Sequence, residues 1–162
     1  MSQARLHSIW IAPDPRAELQ SVAAVTAVPG VGLEGDRYAR GLGTFSGRRG
    51  KNVRELSLIA NESIAHFAAA VGIDLPPGAA RRNLVTEGID LQPLASARLR
   101  IGKVEIECTS TCPPCGHLDR LLGVETRVHL RKRGGLRARI VVGGVLEPGV
   151  DIEVLNVPPP LP

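Results

Sequence analysis

The chain has 162 residues, of which 43% are hydrophobic and 22% are charged. This balance excludes a disordered segment and is typical of a globular domain that buries its own core. The formal net charge of +4 suits an anionic small ligand as well as a nucleic acid, and it does not decide between the two.

The composition also predicts many short elements. Aromatic residues make up only 2% of the chain, so the core must be built from valine, leucine, isoleucine and alanine. Eighteen glycines and 13 prolines favour strands joined by turns over a helical bundle. Since no repeat or change in composition divides the sequence, we expect a single domain over residues 1–162, with a core at about 20–156 and an extended tail at 157–162.

No part of the sequence predicts a membrane segment. The apolar runs fall well short of the ~20 residues that are needed to cross a bilayer. Near the N-terminus only Ile9 to Ala12 are consecutively apolar, which is too few for the hydrophobic part of a signal peptide. We therefore expect a cytoplasmic protein without a membrane partner.

The first part of the sequence predicts three strands followed by a helix. The alternation in "RLHSIWIA" (5–12) predicts a strand, and the β-branched run "SVAAVTAV" (21–28) predicts another. A third strand, "ELSLIA" (55–60), leads into a helix with Asn61 as its N-cap and Gly72 as its end.

The remaining sequence favours further strands. Five are predicted, at 82–88, 96–102, 103–109, 136–144 and 149–155. The second and third of these form a hairpin that turns at Gly102 and Lys103, and two short helices are expected between residues 118 and 132. The sum of seven or eight short strands and two or three small helices predicts a mainly β (α+β) fold, a barrel-like domain with a few short peripheral helices.

A glycine pattern near the N-terminus imitates a nucleotide-binding motif. "GVGLEG" (30–35) matches G-x-G-x-x-G, and Glu55 follows Gly35 by 20 residues, at the place of the acidic residue of that motif. The motif requires a helix to begin at the glycines. The segment that follows, "DRYARGLGTFSGRRG", is too rich in glycine for a helix, so we predict that no dinucleotide binds here.

All three cysteines lie in "CTSTCPPCGH" (108–117), with the spacing C-x3-C-x2-C. This is the cysteine spacing of the radical S-adenosylmethionine enzymes, but those enzymes carry it early in a much longer α/β barrel. Two other interpretations stay open. Zinc could be bound by the cysteines and His117, although structural zinc sites usually combine two separated pairs. A redox dithiol could form from Cys112 and Cys115, although such dithiols belong to α/β folds.

The sequence around Cys115 favours a single working thiolate. Pro113 and Pro114 fix the backbone before it, and the segment after it is predicted to become helical. A thiolate is stabilised at a helix N-terminus, and His117 adds positive potential there. Cys112 is a candidate assistant, whereas Cys108 falls within a predicted strand and is expected to pack as a small hydrophobic residue.

Basic and acidic residues supply further candidates for a binding site. Arg82 and Arg137 flank predicted strands, where we favour a role in binding an anion over a purely structural one. Asp36 is either a turn residue that pairs with Arg37 or a part of the site, and the sequence leaves both open.

Five blocks of the sequence resemble, in order, those of MOSC domains, which are related to the C-terminal part of molybdenum-cofactor sulfurase and also occur as stand-alone bacterial proteins. The blocks are "PGVGLEGDRYA", "RELSLIANESI", "RRNLVTEGIDL", "IGKVEIECTSTCPPCGHLD" and "RGGLRARIVVGGVLEPGVDIEV". The resemblance runs from about residue 24 to residue 155. It implies a β-rich, barrel-like fold with one essential cysteine.

The resemblance also implies roles for individual residues. Cys115, which follows a proline as the family cysteine does, would be the ligand of the molybdenum in a pterin cofactor. Arg82 and Asn83 match a family block that lies at the cofactor site. The family's G-D-R loop and its G-x-R-A strand are matched by further candidates for cofactor binding: Gly35, Asp36, Arg37, Gly135, Arg137 and Ala138.

There are departures from the family pattern. Tyr38 stands where many members have histidine, and Val150 is an extra residue between a usual Gly-Asp pair. Several enzymatic members carry further domains that this sequence does not show, so we expect an external electron donor.

Three functions compete. The first is a molybdenum-pterin protein that reduces N-hydroxylated or N-oxide small molecules with a separate reductase. Here Cys115 ligates the metal and Arg82, Asn83 and Arg137 hold the cofactor. The second is a sulfur carrier that holds a persulfide on Cys115, supplied by a cysteine desulfurase and resolved by Cys112. The third, a nucleic-acid-binding barrel, is disfavoured because the chain has so few aromatic residues for base stacking. Either a monomer or a homodimer is compatible with the sequence.

Overall fold

The computed structural model describes residues 3–41, 55–112 and 133–156. The strands in these ranges are β1 (Arg5–Ile11), β2 (Gln20–Ser21), β3 (Val25–Val28), β4 (Gly32–Leu33), β5 (Leu56–Ala60), β6 (Leu84–Glu87), β7 (Arg98–Ile101), β8 (Val104–Thr111), β9 (Leu136–Val142), β10 (Gly144–Leu146) and β11 (Ile152–Asn156). The helix α1 spans Asn61–Val71, and short 3-10 helices lie at Pro77–Ala80 and Gln92–Leu94. Seven of the predicted strands are confirmed, but the strand predicted at 21–28 is divided into β2 and β3, which belong to different sheets. The helices predicted between 118 and 132 and the tail lie outside the described residues.

The strands form two sheets. The larger sheet has the order β11-β7-β8-β9-β5-β6-β1-β2, and the smaller one has the order β10-β3-β4. Neighbouring strands are antiparallel except β5 and β6, which run parallel. A parallel pair requires a crossover connection, and α1 with the first 3-10 helix supplies it. The predicted hairpin of β7 and β8 is confirmed, with Gly102 at φ 61° in its turn.

The mainly β fold class is confirmed, but a closed barrel is not. The strand order of the larger sheet is open. Among the described residues, β1 and the segment before β11 are joined by a bridge between Arg5 and Asp151 and by a few backbone hydrogen bonds near it. Two of these run from Leu6 N to Val150 O and from Ile152 N to Ala4 O, each at 2.9 Å.

Alternation along the strands places aliphatic side chains in one main core. On β8, Val104, Ile106 and Cys108 point inward, and on β9 every second residue from Leu136 to Ile140 does the same. A smaller cluster, which includes Ile59, Ile64 and Val85, lies on the other side of the sheet beneath α1. Cys108 is only 2% exposed, so its predicted role as a core residue is confirmed.

The N-cap of α1 was predicted wrongly. The cap is Ala60, which has an extended backbone (φ −78°, ψ 135°) and makes no side-chain capping bond. Ala60 is the last residue of β5, so the strand already supplies the extended conformation that an N-cap needs, and Asn61 falls inside the first turn. The helix ends at Gly72 with φ 70°, as predicted.

The "GVGLEG" segment contains the short strand β4 between two turns, and no helix starts at its glycines. Val31 N donates to Val28 O at 3.1 Å in the turn between β3 and β4. Glu55 connects this turn to β9, because its carboxylate accepts hydrogen bonds from Gly30 N at 2.9 Å and Ile140 N at 3.2 Å. No helix follows the glycines in the residues described up to position 41.

Substitution of Gly135 by alanine is expected to destabilise the fold strongly. Gly135 has φ +94°, and a Cβ there would collide with the carbonyl oxygen of Leu58 on the neighbouring strand. Gly149 is a matched control, because it has φ +95° with nothing within 4 Å of a Cβ. In urea unfolding, Gly149→Ala should cost about 1 kcal/mol and Gly135→Ala about 3 kcal/mol or more. Equal losses would contradict the predicted collision.

Candidate functional site

A cavity of about 870 Å³ lies where β5, β6 and β8 end. Its wall is formed by the first turn of α1 (Glu62 and Ser63), the loop 88–92, the end of β8 at Thr111 and Cys112, and residues 133–136. The carboxyl ends of parallel strands are common places for ligand sites. The N-terminus of α1 adds the positive end of a helix dipole to this wall.

Two carboxylates hold the loop 88–92 in place. Glu62 Oε1 accepts a hydrogen bond from Gly88 N at 3.1 Å, and Asp90 Oδ1 accepts one from Gln92 N at 3.2 Å. The first of these bonds ties the loop to the helix, so this side of the cavity is preformed.

Cys112 is fixed at the cavity wall through its backbone. Its N–H donates to Gly135 O at 2.7 Å, and its carbonyl oxygen accepts a hydrogen bond from Arg82 Nη2 at 3.2 Å. The residue is 4% exposed. The structure thus places Cys112 and Gly135, both predicted site residues, side by side at the cavity.

Arg82 lies behind this wall. Its guanidinium donates to three backbone carbonyl oxygens, those of Gly134 at 3.0 Å, Ala80 at 3.2 Å and Cys112 at 3.2 Å. Because each nitrogen of the guanidinium has a partner, Arg82 joins the start of β6 to both sides of the segment 113–132.

Asn83 is fully buried inside the sheet. Its Nδ2 donates to Trp10 O at 3.0 Å, and its Oδ1 accepts a hydrogen bond from Ser57 N at 3.1 Å. The side chain therefore joins β1, β5 and β6, and it is not part of the cavity wall.

Asp36 and Arg37 belong to a separate polar cluster at the end of β1. The buried Asp36 Oδ1 accepts hydrogen bonds from Ala12 N and Arg37 Nη1, both at 3.1 Å. Arg37 lies over the ring of Tyr38, 4.8 Å from its centroid. The sequence left open a turn or a site role for Asp36, and the structure places it in a buried turn away from the cavity.

Arg81 joins this cluster with an unusual backbone. It has φ 59° without being glycine, and its guanidinium donates to Ala17 O at 2.9 Å and Pro15 O at 3.0 Å. Burial, followed by the charge of Arg37, lowers the pKa of Arg81.

Arg137 differs from these arginines. It lies on β9 between Ser57 of β5 and Ser110 of β8. Its Nε is buried without a hydrogen-bond partner, and its guanidinium makes no ion pair with any residue in the described ranges. A guanidinium nitrogen that has lost water and gained no hydrogen bond is costly, so the Nε of Arg137 fits an anionic group.

The site as described is incomplete. Cys115 and His117 lie outside the described residues. Within the described ranges, no group of three His, Cys, Asp or Glu side chains is arranged to hold a metal ion, and no helix has the length and apolar character to cross a membrane. Ser110 and the loop 88–92 were not named as site residues from the sequence, although both overlap blocks that resemble the family, because neither contains a residue type that by itself indicates binding.

The MOSC domain is the family whose sequence model matches this chain, over residues 46–154. Among solved structures, the YuaD protein of Bacillus subtilis is similar at 19% identity and a TM-score of 0.78, with 94% of this chain and 96% of that chain covered. The YiiM protein of Geobacillus stearothermophilus is similar at 15% identity and a TM-score of 0.72, with 94% and 75% covered. YiiM of Escherichia coli is similar at 16% identity and a TM-score of 0.69, with 96% and 71% covered. Among curated proteins, none matches the sequence.

The thiol of Cys108 should make folding stability depend on alkaline pH. Burial, with the nearby charge of Glu107, raises the pKa of this thiol from 9.0 to about 12. Above pH ~9 the unfolded chain loses a proton that the folded chain keeps, so stability falls with pH by up to about 1.4 kcal/mol per unit. The free energy of unfolding should decline less between pH 9 and 11 in Cys108→Ala. Identical slopes would contradict the raised pKa.

Substitution of Asn83 and of Arg137 should affect the free energy of unfolding differently. Asn83→Ala leaves Trp10 O and Ser57 N without their buried partner, and it should lower the free energy of unfolding by about 3 kcal/mol. Arg137→Gln removes a charged group whose buried Nε has no hydrogen-bond partner, so stability should stay the same or rise. Urea unfolding of both variants tests this, and a large loss in Arg137→Gln would show that Arg137 supports the fold.

Proposed function

Because this chain belongs to the MOSC domain family, we propose that it binds a molybdenum-pterin cofactor at the cavity lined by Cys112, with Cys115 as the metal ligand. The family is associated with this cofactor. The observation that carries the proposal is Arg137 Nε, which is buried without a hydrogen-bond partner. Arg137 is not on the cavity wall itself but lies on β9 one residue after the cavity residue Leu136.

The residues present fit such a cofactor. Its phosphate needs a cation, and Arg137 has a buried nitrogen without a partner in the described ranges. The cavity volume of about 870 Å³ lies within the range typical of cofactor and small-molecule sites. Its wall combines apolar side chains, such as Ile89 and Leu136, with polar ones, such as Ser63 and Gln92, as the rings and edges of a pterin require.

The metal ligand is within reach of the same cavity. Cys115 follows Cys112 by three residues, and three residues of extended chain span at most about 11 Å. Since Cys112 lines the cavity, the length of the chain allows a thiolate at position 115 to reach a metal there. A thiolate also suits the soft, sulfur-rich surroundings of molybdenum in this cofactor.

When bound, the cofactor supplies two-electron chemistry that reduces N-hydroxylated or N-oxide compounds, with electrons from a separate reductase and the oxygen released as water. The residues of the chain bind the cofactor and fix its orientation. Cys115 holds the metal, Arg137 neutralises the phosphate, and Arg82 keeps Cys112 and Gly134 in place. The preformed loop 88–92 shapes the space left for a small organic substrate.

The test is the molybdenum and pterin content of protein made in a host that synthesises the cofactor. Wild type should contain close to one molybdenum per chain and reduce a hydroxylamine with a chemical electron donor. Cys115→Ser should lose most of both, whereas Cys108→Ala should keep both, because Cys108 is a core residue. This control separates the loss of one thiolate from the loss of any cysteine.

Wild type without molybdenum would overturn the proposal. If such protein then carried cyanide-releasable sulfur on Cys115 after incubation with a cysteine desulfurase, a sulfur carrier would be the better assignment.

A further inference from the structure

A bulge in β8 brings Ser110 next to Arg137. Cys108 pairs with Ala138, but Ser110 pairs with Arg137, so two residues of β8 advance against one of β9. The hydroxyl of Thr109 donates to Arg137 O at 3.3 Å and supports this arrangement. Without the bulge Ser110 would face Leu136 on the core side of the sheet. Bulges often redirect a side chain next to a functional site.

The two side chains that meet here both have a buried polar atom without a partner. Ser110 Oγ and Arg137 Nε have no hydrogen bond in the described ranges. Paired residues on neighbouring antiparallel strands point to the same side of the sheet, with Cβ atoms about 5 Å apart. Both donors can therefore reach one common acceptor.

The polar side chains next to Ser110 and Arg137 already have hydrogen-bond or ion-pair partners. Ser57, the partner of Arg137 on β5, accepts a hydrogen bond from Asn83 N at 3.2 Å and donates to Asn83 Oδ1 at 3.3 Å. Arg139, the next side chain on the same side of β9, pairs with Glu107 at 3.1 Å. Among the polar side chains on this side of β5, β8 and β9, the buried atoms without a partner in the described ranges thus belong to Ser110 and Arg137.

We propose that Ser110 and Arg137 form a binding site for a phosphate-type oxyanion. The edge of a guanidinium donates to two oxygens of an anion, and the serine hydroxyl supplies a third hydrogen bond. A phosphate monoester has three terminal oxygens for these three donors, whereas a carboxylate has two. The inference rests on the proposed function, since it assigns Ser110 to the cofactor phosphate or to a phosphorylated substrate.

The first experiment uses cofactor-free protein and inorganic phosphate. Phosphate should raise the Tm of wild type above that in chloride of equal ionic strength and should bind measurably by calorimetry. Ser110→Ala should weaken this binding about tenfold, and Arg137→Gln should weaken it about a hundredfold or more. Arg139→Gln, which removes a paired and half-exposed arginine from the same strand, should bind as wild type does.

A second variant separates the hydroxyl from packing. Ser110→Thr keeps the donor and should keep phosphate binding within about threefold of wild type, with the Tm of each phosphate-free variant measured alongside. The inference is overturned if wild type does not bind phosphate, or if Ser110→Ala and Arg137→Gln bind it as well as wild type.

Loaded protein distinguishes the source of the anion. If the pterin phosphate occupies the site, Ser110→Ala should lose pterin fluorescence faster than wild type on dilution, and inorganic phosphate should not bind to loaded protein. If loaded protein still binds phosphate, the source is the substrate. Because the phosphate experiment needs neither metal nor Cys115, wild type that binds phosphate but never molybdenum would refute the proposed function and leave this inference standing.

Discussion

The cavity depends on the hydrogen bonds of one arginine. Arg82 donates to the carbonyl oxygens of Ala80, Cys112 and Gly134, and each bond from a charged donor contributes about 1.5–3 kcal/mol. These bonds hold the end of β8, the approach to β9 and the start of β6 at fixed distances. A guanidinium suits this role because its planar fork meets several acceptors at once. On this side the cavity wall is therefore held through its backbone, whereas the loop 88–92 is held by the carboxylates of Glu62 and Asp90.

The arginines of this chain divide by what their guanidinium groups contact. Arg81 and Arg82 are bound to backbone carbonyls, and Arg37 is paired with Asp36. Arg137 alone among these four has a buried nitrogen with no partner in the described ranges. A fold accepts such a group when its stability elsewhere is sufficient, and groups of this kind concentrate where a ligand completes them. Of these four arginines, Arg137 on β9, beside the cavity, is therefore the one that an anion would complete.

The sequence predicted most strands because alternation depends only on which side of a sheet is buried. It also predicted the packing of Cys108 and that no helix begins at the glycines of "GVGLEG". The N-cap at Ala60 was missed because β5 runs directly into α1, and the open order of the large sheet was missed because closure depends on long-range pairing. The position of Ser110 could not be predicted either, since a bulge changes side-chain direction without a signature of its own. Arg82 and Arg137 look alike in sequence, and only tertiary contacts separate them.

The central claim is that the cofactor sits between the cavity wall and Arg137, with its metal on the thiolate of Cys115. Anomalous diffraction at the molybdenum absorption edge, from crystals of cofactor-loaded protein, tests this most directly. We expect one molybdenum peak within bonding distance of the Cys115 sulfur, with the pterin in the cavity and its phosphate on Arg137. A molybdenum peak remote from Cys115, or a pterin bound away from this cavity, would contradict it.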